Sequence, residues 1–140
     1  MRVRTVVGAH VHTRTLSASQ TAQRIKAGLP VKEFDTLREY LGLTVEALAK
    51  KVGISAATLS RRRQSRQPLD AGHSDRLIRF ARLFRLAVDL YDGNEAAARR
   101  WLTTPARALG GQTPLDFADT EAGAREVENL IGRLEYGVYT

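Results

Sequence analysis

The 140-residue sequence predicts an all-α fold, an N-terminal helix-turn-helix bundle followed by a second helical domain. Three observations predict it. Apolar residues recur at spacings of three and four from Ser17 to Leu134. Ser, Thr or Asn stands before most of these runs and Gly after several. Residues 43–63, LTVEALAKKVGISAATLSRRR, hold two short helical patterns hinged at Gly53, the second ending in three arginines.

In this hinged pair, Leu48, Ala49 and Val52 make one apolar stripe, and Ile54 and Leu59 supply its mate. Ala49 is small where the backbones cross, and Gly53 stands where a left-handed backbone is easiest for glycine. Thr44 and Ser55 are the expected N-caps. At about 100° per residue, Leu59 and Arg61 lie roughly opposite, so burying the leucine turns the arginine outward. Arg61 is therefore the first choice for reading a base edge in a DNA major groove. Ser55, Ala56, Ala57 and Thr58 form the cap and first turn, small enough to approach base edges or meet a thymine methyl. Arg62, Arg63 and Arg66 flank that side and are expected to clamp phosphates.

Charge agrees with a nucleic-acid partner. Residues 1–72 hold 13 Lys+Arg against 5 Asp+Glu, a net of +8, whereas residues 73–140 hold 9 against 10, a net of −1. A polyanion-binding front and a protein-facing back follow. Membrane binding is the competing use of basic charge, but no apolar run reaches spanning length. With zero cysteines there are no disulfides or thiolate metal sites, and MRVRTVVGAHVH lacks the apolar core of a secretory signal, so a cytoplasmic location is expected.

Residues 1–16 alternate weakly through Val3, Val6 and Val11, as a short strand or a loose basic arm able to touch phosphates. His10 and His12 are two apart, but no third ligand is near, so no metal and no cofactor is expected. Helical patterning starts at Ser17, with Ala22 and Ile25 inside and Gly28 closing the element before Pro30. The next helix is expected from about Val31 to Leu41, burying Phe34, Leu37 and Leu41 and ending at Gly42.

The longest helix is expected from His73 to Tyr91. Leu77, Phe80, Ala81, Phe84, Val88 and Tyr91 repeat at helical spacing, and Leu83, Leu86, Ala87 and Leu90 widen the apolar face. Such width fits either a buried core helix or one that also meets a second copy or another protein. Arg76, Arg79, Arg82 and Arg85 step by three and drift around the helix, so they are not read as one binding face. Asn94 caps a further helix ended by Pro105, and Trp101, the single tryptophan, is read as a core anchor.

Gly110 and Gly111 permit a tight turn, without the lysine and spacing of a phosphate loop. Thr113 and Pro114 then cap and open a helix, and Asp119 and Thr120 start the last one, with Ala124, Val127, Ile131 and Leu134 as its stripe. Two tyrosines and a valine among the last five residues suggest that something covers them, a partner protein or the chain itself.

The string from Trp101 through ALGG, TPLD, DTEAGA and GRLEYGVY resembles the C-terminal domain of the Xre/ParS/MbcA-type antitoxins, and the preceding layout matches as well. The resemblance covers residues 17–140. Phe117 and Ala118 stand where such proteins tend to have leucines, a departure that bears on packing. Membership implies a type II toxin-antitoxin pair in which the chain neutralises a RES-domain toxin, an enzyme that consumes NAD. The C-terminal region is then expected to lie against the toxin's active-site cleft, and the N-terminal domain to repress the shared operon. Arg133, Glu135, Tyr136, Gly137, Val138, Tyr139 and Thr140 are the toxin-facing residues so implied.

The expected organisation is an arm over residues 1–16, a helix-turn-helix domain over 17–72 and a toxin-binding and dimerisation domain over 73–140. A homodimer is expected, because one recognition helix reads few bases and paired half-sites add their energies. The alternative is a stand-alone helix-turn-helix transcriptional regulator. An enzyme is not expected: no nucleophile motif appears, and His10, His12 and His73 are read as remote from any acidic cluster.

Overall fold

A computed structural model describes residues 17–137 and, before them, the backbone of two dipeptides, Thr5–Val6 and Ala9–His10. Those dipeptides form β1 and β2, an antiparallel ladder with Thr5 opposite His10 and Val6 opposite Ala9. The rest of the described chain is helical.

The first helix, α1 (Ala18–Ala27), begins with a capping box: the Ser17 hydroxyl accepts from the Gln20 amide at 3.2 Å and the Gln20 side chain accepts from the Ser17 amide at 3.0 Å. No side chain of α1 is buried. Ala22, expected inside, is exposed and Ile25 is only half-buried. A single methyl at Ala22 offers too little apolar area to draw that side of a surface helix inward. The second helix, α2 (Val31–Leu41), buries Val31, Phe34, Leu37, Tyr40 and Leu41 and ends at Gly42 in the left-handed region. The hinged pair is α3 (Val45–Val52) and α4 (Ala56–Ser65).

The long helix α5 (Ala71–Leu90) begins before the expected His73, because Asp70 is its cap and accepts from the His73 amide at 2.8 Å. It is followed by α6 (Glu95–Leu102), a 3-10 turn over Arg107–Leu109, α7 (Pro114–Phe117) and α8 (Glu121–Glu135). Asn94, Thr113 and Thr120 each cap the helix that follows, as expected. Gly110 and Gly111 both have positive φ and close the turn, in which the Gly111 amide donates to the Ala106 carbonyl at 3.0 Å.

The buried side chains form one cluster running from Leu29 to Ile131. At its centre, α5 packs against α1, α2, α3, α6 and α8. This accounts for its wide apolar face: Leu83 and Ala87 are fully buried by the same chain, as are Phe84 and Val88. Leu86 and Leu90 are half-buried, and Tyr91 caps the helix end in partial exposure rather than continuing the stripe. Its own chain thus covers most of the widened face, as the core-helix reading requires. Tyr40 of α2 stacks obliquely on Phe84, ring centroids 5.3 Å apart, tying the two halves together. No helix among the described residues is long and apolar enough to cross a membrane.

Candidate functional site

Backbone capping positions α4. The Thr44 hydroxyl accepts from the Ala47 amide at 3.0 Å and the Ser55 hydroxyl from the Thr58 amide at 3.1 Å, so α3 and α4 each start at the expected residue. Gly53, at φ +83°, turns the chain between them. Leu48, Ala49, Val52, Ile54 and Leu59 are all buried, so the stripe and its mate meet as read. The turn is held from outside as well: Arg76 donates to the Val52 carbonyl at 2.8 Å, and a His73 ring nitrogen lies 3.2 Å from the Gly53 carbonyl oxygen. These are the orphan carbonyls at the end of α3, met by side chains from the first two turns of α5. His73 also lies 3.0 Å from Asp70, a single acidic neighbour. That contact belongs to the helix cap.

Leu59 is the one buried residue of α4, which leaves the rest of its surface available. Ser55, Ala56, Ala57 and Arg61 are exposed and Thr58 is half-buried. Arg61 rests on the Thr58 hydroxyl at 3.3 Å, a neutral contact that leaves its charge uncompensated. The other three arginines, grouped together by sequence, separate here. Arg63 makes a two-pronged ion pair with Asp35 of α2, at 2.7 and 3.1 Å, and the hydrogen bonding raises its pKa further. Arg62 turns back to donate to the Pro68 carbonyl at 2.8 Å. Arg66 caps α4 in the left-handed region and its side chain is exposed. Asp35 gave no signal in the sequence, because it lies 28 residues from Arg63.

The other end of the molecule is organised by α5 and α8. Arg79, 7% exposed, donates to Asp75 at 2.7 Å, to Glu121 at 3.3 Å and to the Asp119 carbonyl at 3.2 Å. Arg82 pairs with Glu121 and Glu128. Two of the arginines dismissed as a drifting series thus form a seam with α8, while Arg76 serves the turn and Arg85 pairs with Asp89. The readable signal was the seven-residue interval between Glu121 and Glu128, which puts both on one face of α8. Gly123 lies at the start of the same helix, and a Cβ there would stand 1.8 Å from the Phe117 carbonyl oxygen, so α7 and α8 meet backbone to backbone. Lys51 of α3 bridges to Asp116 of α7, and this hydrogen bond holds the Asp116 carboxyl below its usual range.

The last turn of α8 leaves this packed environment. Leu134 is half-buried, Arg133 is half-buried, Glu135 and Gly137 are exposed, and Tyr136 is 84% exposed. Val138, Tyr139 and Thr140 lie outside the described residues, as does His12. Among the described residues, no group of three His, Cys, Asp or Glu is arranged to hold a metal.

Comparison with known proteins matches both halves. Residues 20–82 fit the antitoxin Xre-like helix-turn-helix domain, and residues 86–137 fit the antitoxin Xre/MbcA/ParS C-terminal toxin-binding domain. An Antitoxin Xre of Yersinia enterocolitica is 36% identical over 116 residues, covering 83% of this chain and 78% of the relative. One of Photorhabdus laumondii is 37% identical over 114 residues, 81% and 77% of the two chains. A Prs ADP-ribosylating antitoxin of Sphingobium is 25% identical over 123 residues, 82% and 77% of the two chains. With a capped, outward-facing α4 at one end and a toxin-binding domain built on α5 to α8 at the other, the chain belongs to the Xre family of antitoxins, binding and regulatory proteins of toxin-antitoxin systems.

Proposed function

We propose that this antitoxin neutralises a RES-domain, NAD-consuming toxin by laying its C-terminal region over the toxin's active-site cleft, and that it represses its own operon through α4. The observation that carries the first part is Tyr136. It is a large aromatic side chain, 84% exposed, at the end of a helix whose other large apolar residues are buried or half-buried. Such a residue next to the exposed Glu135 and Gly137 has the composition of an interface anchor. Arg133, Val138, Tyr139 and Thr140 complete the proposed toxin-facing segment. In it a tyrosine ring stacks in the cleft and Glu135 meets cationic groups there. A relative whose name joins an antitoxin to ADP-ribosylation, a chemistry that consumes NAD, supports the choice of toxin class.

The second part uses Ser55, Ala56, Ala57, Thr58 and Arg61 against bases and Arg66 against phosphates, with two copies on paired half-sites. Removing residues 135–140 from the full chain tests the toxin reading. NAD consumption by the toxin should return in the presence of the truncated antitoxin, while its binding to operator DNA stays unchanged. Full inhibition by the truncated chain would show that the blocking group lies elsewhere.

A further inference from the structure

Residues 1–32 carry six basic residues and no Asp or Glu, the longest stretch of one sign in the chain. The described part of it is α1 and the start of α2. Apart from Ile25, which rests half-buried against the core, most of α1 faces outward. Its basic end is fixed in position. The Leu69 amide donates to the Leu29 carbonyl at 2.8 Å, and the Leu29 amide to the Ser74 hydroxyl at 2.9 Å. A Cβ on Gly28 would stand 2.2 Å from the Leu69 carbonyl oxygen. The junction of α1 with α2 is therefore pinned to the junction of α4 with α5.

Lys26 precedes Gly28 by two residues and Arg66 precedes Pro68 by two, so both flank this contact. Lys32 and Arg66 line one groove together with Arg62 and Arg63. Within that groove Arg63 is neutralised by Asp35, and Arg62 is bound to a carbonyl. Arg24, Lys26, Lys32 and Arg66 are exposed, and none has an ion pair among the described residues. Lys26, Lys32 and Arg66 thus place uncompensated charge beside the end of α4.

We propose that Arg24, Lys26, Lys32 and Arg66 form a second DNA contact, a basic saddle that holds the phosphate backbone flanking the base pairs met by α4. The proposal rests on the reading of α4 as the DNA-binding helix and extends it. A uniform row of phosphates is the partner whose charge matches four cations on two helices and a loop, where the one acid of the groove, Asp35, is taken up by Arg63.

The test uses the full-length chain with Arg24→Gln, Lys26→Gln and Lys32→Gln combined, all at exposed positions. Affinity is measured against salt on an operator fragment with flanks of about one helical turn, on a trimmed fragment and on an unrelated duplex. The triple variant should lower the slope of log affinity against log salt by about 2–3, at roughly 0.9 per lost phosphate contact. It should weaken operator and unrelated duplex alike, and trimming the flanks should remove its difference from the parent. An unchanged slope, with Arg61→Ala still lowering the preference for operator, overturns the saddle and leaves the α4 reading standing. A parent chain that binds no duplex overturns both. A triple variant that keeps its salt slope but no longer inhibits the toxin assigns these cations to a protein partner and overturns the DNA assignment.

Discussion

Four arginines that look alike in the sequence have different tasks in the structure, and the difference predicts different phenotypes. Arg61 has its charge free and sits opposite the buried Leu59, so on the proposed binding mode it faces base edges. Arg61→Ala should lower the operator preference by about tenfold, as expected when a bidentate base contact worth roughly 1–3 kcal/mol is lost. Arg63 is paired with Asp35, which competes with a phosphate for it. Asp35→Ala should release it, and removing that carboxylate also removes a negative charge from the groove. Duplex affinity at low salt should then rise, with the salt slope steeper by about one, while stability falls by no more than about 1 kcal/mol because the pair is partly exposed. A titration of both variants over one salt series checks this. An Asp35→Ala chain with parental affinity and slope would mean that Arg63 has no route to the backbone.

At the scale of elements, what could be read followed what is local. Caps and stops depend on residues a few positions apart, which is why Ser17, Thr44, Ser55, Asn94, Thr113 and Thr120 marked helix starts correctly. The width of α5's apolar face was legible, but what covers it was not, because α6 and α8 arrive from later in the chain. Of the α5–α8 seam only the shared face of Glu121 and Glu128 was legible; which arginines meet it was not, because Arg79 meets Glu121 at a separation of 42 residues. At the candidate site, the free Arg61 could be read from helical geometry, whereas the capture of Arg63 by Asp35 could not. Arg79 also carries a prediction. It is buried, it satisfies the Asp119 carbonyl at the turn into α8, and it holds Asp75 and Glu121, which are each about half exposed. Arg79→Ala should therefore cost about 1–3 kcal/mol, with the charged partners turning to water but the carbonyl left poorly satisfied. Urea unfolding would measure this, and a loss under about 0.5 kcal/mol would mean that the seam merely decorates the surface.

For the whole molecule, the two matched segments divide at residues 82–86, inside α5, and not in a linker. Phe80 lies before that division, Phe84 within it and Val88 after it, all almost fully buried, in a cluster that runs without a break from Leu29 to Ile131. A helix shared by both halves cannot lose the packing of one without exposing apolar surface that the other depends on. The Tyr40–Phe84 contact, the Arg99 bond to the Tyr40 carbonyl at 2.8 Å and the Lys51–Asp116 bridge add three further ties between early and late elements. The chain should accordingly unfold in one cooperative transition. Trp101 sits half-buried on α6, against the core, and is the single tryptophan, so its fluorescence reports on the later half. Far-UV circular dichroism reports on all the helices. The two midpoints in urea should coincide, and Leu48→Ala, a change wholly within the early half, should move both together by the destabilisation of about 2–5 kcal/mol expected for a buried leucine. Separate midpoints, or a fluorescence midpoint that stays in place when Leu48 is truncated, would mean that the two ends fold independently and that α5 joins them without coupling them.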